Sequence, residues 1–158
     1  MPDTEPLRDA YRALLDAAAT VAASGAPGPV PPPGEWDADQ ILAHVVLVNA
    51  ATITAVTSAA SGAVTTYDNR LAQDAWTIDR VIDLAGGNAG LQERVRRQGD
   101  ALCALSVLSE TELDTPVPAL LISHGKTLVD QPMPLRALIT GLAEAELPGH
   151  TDQLLALL

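Results

Sequence analysis

Phenylalanine is absent from the 158 residues, and Tyr11, Tyr67, Trp36 and Trp76 are the only large aromatic side chains. Four scattered rings are too few for the stacking platform on which a single-strand binder lays its bases. Positive charge is scarce as well. Eight arginines and one lysine stand against twenty acidic residues, and the resulting formal charge of −11 repels a phosphate backbone. Nucleic acid is therefore not an expected partner. The single cysteine, Cys103, has nothing to pair with in an internal disulfide, which fits a reducing compartment. No uninterrupted apolar run approaches the ~20 residues needed to span a bilayer, so no membrane partner is expected. The N-terminal Met-Pro-Asp-Thr-Glu-Pro lacks the basic-then-apolar order of a secretory signal, and a cytoplasmic location is the expectation. A glycine-rich phosphate loop, a G-x-S-x-G elbow and a C-x-x-C pair are also missing.

The chain does have enough apolar residues, 47 %, to bury one core, and its length suits a single domain over residues 1–158. From Thr4 to about Ser24, Leu7, Tyr11, Leu14, Leu15, Ala18, Val21 and Ala22 recur at three- and four-residue steps, which predicts an amphipathic helix. Five prolines between Gly25 and Gly34 then enforce a loop. Asp37 and Gln40 form a capping-box pattern opening a second helix, Ala38 to about Ala60, with a stripe of Ile41, Leu42, Val45, Val48, Ala55 and Val56. After a connection from Ser61 to Asn69, a short helix is expected over Leu71–Leu84, carrying Trp76, Ile78, Val81 and Ile82. A long one follows from Asn88 to about Ser109, with Leu91, Val95, Leu102, Leu105 and Leu108 inward. Glu110 to Pro134, with four prolines, reads as a long irregular excursion, with a few extended residues on either side of a turn at Ser123-His124-Gly125-Lys126. Leu135–Leu158 supplies the last helix. The expected fold class is all-α, four main helices with long connections.

Three residues carry candidate chemistry: His44 in the second helix, and Glu146 with His150 in the last. A four-residue spacing puts Glu146 and His150 on one helix face, one turn apart, where they can share a metal. Imidazole and carboxylate suit zinc and related divalent ions, and three protein ligands leave a position for water or substrate. On spacing alone an E-x-x-x-H pair also arises by chance, and a single helical histidine is commonly a satisfied or exposed side chain. Pro148 and Gly149 lie between the two; proline removes a helix hydrogen bond and clashes one turn back, so a kink that parts the side chains is expected. His124 with Lys126 and Asp130 reads as an exposed loop group. Arg94, Arg96 and Arg97 read as a solvated helix face, and Cys103 as a small core residue.

The segment Trp36-Asp37-Ala38-Asp39-Gln40-Ile41-Leu42-Ala43-His44-Val45 resembles the signature of the DinB-like superfamily, in which a tryptophan opens the second helix and a histidine follows about two turns later. Glu146-x-x-x-His150-Thr151-Asp152-Gln153-Leu154 resembles that family's fourth-helix motif. Many members have histidine at both ends of the second motif, whereas this chain has Glu146 at the first. A His, Glu, His set is similar to the zinc ligands in the N-terminal domain of mycothiol-dependent maleylpyruvate isomerases, a branch of the superfamily. The resemblance implies a four-helix bundle of DinB-like type that often pairs as a homodimer. It also implies a divalent metal, Zn2+ or another, on His44, Glu146 and His150, and a low-molecular-weight thiol such as mycothiol. The implied activity is a thiol-dependent transferase or isomerase acting on a small electrophile. Those isomerases also carry a C-terminal domain that the 158 residues do not contain, so maleylpyruvate isomerisation itself is not expected. The alternative is a non-catalytic bundle that binds a small ligand or dimerises, with a degenerate metal site.

Overall fold

The computed structural model describes residues 3–25 and 30–158; part of the proline-rich loop, residues 26–29, and the first two residues lie outside the described chain. Helix α1 (Glu5–Ala23) buries Leu7, Tyr11, Leu14, Ala18 and Val21, the stripe expected from their spacing. Helix α2 (Ala38–Ala60) opens on the full capping box: the Gln40 N–H donates to Asp37 Oδ1 and the Asp37 N–H donates to Gln40 Oε1, both at 2.9 Å. By length and composition α2 is the one described helix able to cross a bilayer, at a mean hydropathy of 1.7, yet 61 % of that stretch is buried inside the fold. Its apolar residues serve the core.

The short third helix starts later than expected. Leu71–Gln73 forms a 3-10 turn, and Asp74 then accepts from the Thr77 N–H at 2.9 Å and caps helix α3 (Ala75–Ala85). Trp76 is 70 % exposed and lies against the Arg80 guanidinium at 5.7 Å. Helix α4 (Asn88–Leu105) ends before the expected Ser109 because Ser109 caps the next element: with Glu112 it forms a second capping box that starts α5 (Glu110–Leu113). Leu105, expected inward, is accordingly half-exposed.

The main correction lies in the excursion from Glu110 to Pro134, which is ordered, so the chain is mostly helical rather than all-α. Strands β2 (Pro116–Ser123) and β3 (Lys126–Pro134) pair antiparallel, and the two-residue strand β1 (Tyr67–Asp68) pairs parallel to β2, giving the order β1-β2-β3. The prolines select this register. Pro116 faces Pro134 and Pro118 faces Pro132; neither member of such a pair has an N–H, so both pairs occupy positions that exchange no backbone bonds. All four prolines are exposed, while Val117 and Ala119, at the alternate positions, face the core. The hairpin closes where the sequence places its turn, His124 and Gly125 having φ of +50° and +73°, the signs of a type I′ turn.

The last helix begins as α6 (Leu135–Gly141), widens into a π-turn over Leu142–Glu146, and continues as α7 (Leu147–Leu155). The Leu147 N–H reaches back five residues to the Leu142 carbonyl. This wide turn restarts the helix just ahead of Pro148, so the proline occupies the first turn of α7, where an N–H is dispensable. Helices α1, α2, α4 and α6–α7 enclose one core, with α1 against α7 and α4, and α2 against α4. Where α1 meets α4, the Tyr11 ring lies on Gly99; a Cβ there would stand 2.9 Å from the ring, so only glycine allows the approach.

Candidate metal centre

The capping box fixes where α2 begins, and seven residues on from Asp37 it sets His44 on the buried face beside Ile41 and Val45. His44 is 4 % exposed. Its Nδ1 lies 2.6 Å from the Ala72 carbonyl in the 3-10 turn. A carbonyl only accepts, so Nδ1 carries a proton and Nε2 is the nitrogen turned to the cluster. That Nε2 faces Glu146 Oε1 at 3.4 Å. On α7 the His150 ring repeats the arrangement: Nδ1 donates to Gln153 Oε1 at 2.9 Å, and Nε2 faces the same Glu146 oxygen at 3.8 Å.

The kink expected at Pro148 does not part the pair. Glu146 keeps helical backbone angles, and the π-turn absorbs the proline upstream. One ligating atom from each of His44, Glu146 and His150 lies within 4.8 Å of the other two. The two rings stand edge to face with centroids 4.6 Å apart, and Trp36 covers His44 at 4.9 Å. Trp36 and Gln153 thereby flank a cluster whose outer side is the partly exposed Glu146.

The donor set fits a divalent ion. Two donors on one tetrahedral zinc, each bound at ~2.0–2.1 Å, stand about 3.3 Å apart. The His44–Glu146 separation matches this, and the His150–Glu146 separation exceeds it by about half an ångström. Neither contact is a good direct hydrogen bond, which for a charged pair runs at ~2.7–2.9 Å. Both rings also have the far nitrogen tied to an acceptor, the pattern that orients histidines bound to metals. The facing rings of His150 and then His44 hold the Glu146 carboxyl far below the usual carboxylate range, against the effect of burial. Burial pushes the His150 ring toward neutrality, but the facing Glu146 carboxylate and the bond to Gln153 outweigh that and raise its pKa. Burial raises the Tyr67 phenol, Thr52 offsets part of the rise, and the Glu146 charge adds to it.

The remaining sequence candidates lie elsewhere. His124 is at the exposed hairpin tip, bonded to Ser123 Oγ at 3.0 Å, with Lys126 and Asp130 exposed on β3. Arg96 and Arg97 pair with Glu93 at 2.7 Å, and Arg94 donates to the Leu84 carbonyl. Cys103 is buried, and its thiol is pushed up by that burial. Sequence reasoning missed Ala72, whose contribution is a backbone carbonyl and leaves no side-chain signal. It also passed over Gln153, which stands inside the Glu146–Leu154 motif one turn beyond His150. A separate cleft of about 240 Å³, lined by Leu7, Ser106, Leu113, Arg136, Ile139 and Ala143, includes none of the three ligands. Compared with protein-family models, curated proteins and solved structures, the chain matches none.

Proposed function

We propose that His44, Glu146 and His150 hold one divalent cation, with zinc the ion best suited to the set, and that the chain is a metal-dependent enzyme of DinB-like, four-helix-bundle type. The supporting observation is the convergence of two Nε2 atoms on one carboxylate oxygen, with both Nδ1 atoms already committed to acceptors elsewhere. When bound, such an ion lowers the pKa of a thiol or water and makes it a nucleophile near neutral pH. The protein's own groups bind and orient. His44 is fixed from Ala72 and His150 from Gln153, while Trp36 shields the inner ring from water. Glu146, the most exposed of the three, marks the side from which a small substrate approaches.

A low-molecular-weight thiol such as mycothiol, and transfer or isomerisation on a small electrophile, are proposed on the resemblance of the Trp36–Val45 and Glu146–Leu154 segments alone. Elemental analysis of protein purified without an affinity tag tests the reading. Near-stoichiometric metal, with thiol consumed when an electrophile is added, is the expected result. Metal-free protein that takes up none on reconstitution overturns it.

The 240 Å³ cleft favours a second reading, in which the fold holds a small, largely apolar ligand without catalysis; Ser106 Oγ at its wall is buried and has no hydrogen-bond partner among the described residues. A homodimer is proposed with either reading, because Trp76 and Leu84 lie two turns apart on α3 and are 70 % and 61 % exposed. Light scattering that finds only monomer at high micromolar concentration excludes it.

A further inference from the structure

The nitrogen that His44 presents to the cluster is selected from outside the helices. Strand β1 ends at Asp68, which pairs with Leu120, and the β2–β3 ladder is irregular between Leu121 and Ile122. Ile122 would have no backbone partner on the β1 side. The Asn69 side chain supplies one: its Nδ2 donates to the Ile122 carbonyl at 2.9 Å and its Oδ1 accepts the Ile122 N–H at 2.8 Å. A primary amide has the donor and acceptor of a peptide unit, so Asn69 continues the ladder by one rung with its side chain. Gln73 also donates to the Ile122 carbonyl.

The same residue begins the turn that reaches His44. The Asn69 carbonyl accepts the Ala72 N–H at 3.1 Å, and the Ala72 carbonyl accepts from His44 Nδ1. Asn69 is 8 % exposed and Ala72 2 % exposed, so water has little access to replace either bond. A neutral imidazole has one proton and two places to put it. Held against Ala72, the proton stays on Nδ1. If the turn slackens, it can move to Nε2 and bond to Glu146, occupying the lone pair a metal needs.

We propose that Asn69 is a positioning residue for His44, its amide locking the Leu71–Gln73 turn to the β-hairpin so that the Ala72 carbonyl keeps the His44 proton on Nδ1 and Nε2 open to a metal ion. The proposal rests on the reading of His44 as a metal ligand, but the tautomer is measurable without metal. The full chain is compared as wild type, Asn69→Ala and Asn69→Asp. Zinc affinity is titrated, ring nitrogen shifts of His44 are recorded on metal-free protein at alkaline pH, and helicity is followed by circular dichroism. For Asn69→Ala the expected result is zinc binding weakened about 10-fold, as for loss of a group that supports a ligand, with a measurable Nε2–H population and unchanged helicity. Asn69→Asp keeps the acceptor for the Ile122 N–H but loses the donor, and should fall between. Wild-type affinity with His44 still in the Nδ1–H form overturns the proposal, as does weakened affinity with no change of tautomer. If Asn69→Ala does not fold, Asn69→Asp decides by the same two readouts. If the wild type binds no zinc, the metal reading fails by itself; a tautomer shift in the variants then supports the positioning role, and its absence overturns it.

Discussion

Within one helical core, the Tyr11 hydroxyl donates to Asn49 Oδ1 at 2.6 Å, Asn49 Nδ2 donates to Gln98 Oε1 at 3.1 Å, and Gln98 Nε2 donates to the Val46 carbonyl at 3.1 Å. Every donor in that chain meets an acceptor, and Asn49 is fully buried. Nearby on α2, His44 faces Glu146 at 3.4 Å and His150 faces it at 3.8 Å, both longer than a good direct hydrogen bond. The first group is complete without help and ties α1, α2 and α4 together. The second groups three ligand-type atoms within 4.8 Å of one another, a set that could hold a metal ion. Burial alone therefore does not distinguish these two groups; the donor–acceptor distances do.

The sharpest way to break the comparison is His44→Ala. It removes the one ligand that does not come from the last helix, and zinc affinity should fall by more than ~100-fold, beyond the range for loss of a supporting group. Helicity should persist, because the apolar stripes and not the metal supply the core. Zinc titration with circular dichroism checks both. Equal affinity in the variant excludes this triad, and collapsed helicity assigns the metal a structural role instead.

Asn49→Ala probes the other group. Stranding the Tyr11 hydroxyl and the Gln98 amide in the core should cost roughly 2–4 kcal/mol in chemical denaturation, leaving zinc affinity within about twofold. A variant that lost metal with little loss of stability would erase the distinction. Gln153→Ala tests the support of the second ring: loss of the acceptor for His150 Nδ1 should weaken zinc about 10-fold. Affinity equal to wild type would show that α7 alone orients the ring.

The smallest effect is in the pH dependence. Metal-free protein holds the His150 proton more tightly than the unfolded chain does. The stabilisation is therefore full below the unfolded-chain value of ~6.5 and is lost as pH rises through the raised folded value. Zinc-loaded protein should gain stability over the same interval, because ligand binding must displace protons. Melting temperatures with and without zinc across this range should move in opposite directions. Parallel curves would mean that the ion is not held by these rings.

Much of this was legible in the residues. The Asp37–Gln40 box announced α2, the three- and four-residue steps announced α1, and E-x-x-x-H marked one face of the last helix. Two signals were present and passed over: Ser109-x-x-Glu112 as a capping box, and the paired prolines of β2 and β3, whose outward alternation left Val117 and Ala119 facing in. The prolines read as irregular structure because a strand rich in proline is recognised only with its partner in register. Of the four apolar residues expected on the short third helix, Trp76, Ile78, Val81 and Ile82, only Ile78 is fully buried.

Local pattern determined where the helices start, which faces are apolar, and that Glu146 and His150 share one face of the last helix. Each of those follows from backbone bonds and side-chain periodicity within a few residues. The tertiary structure decided the rest: that the π-turn absorbs Pro148, that a residue 102 positions away shares a carboxylate with His44, and that Ala72 and Gln153 fix which ring nitrogens point inward. These depend on loop closure and packing between distant segments. No local propensity encodes the tautomer of a buried imidazole, because that is set by whichever acceptor the fold carries to its other nitrogen.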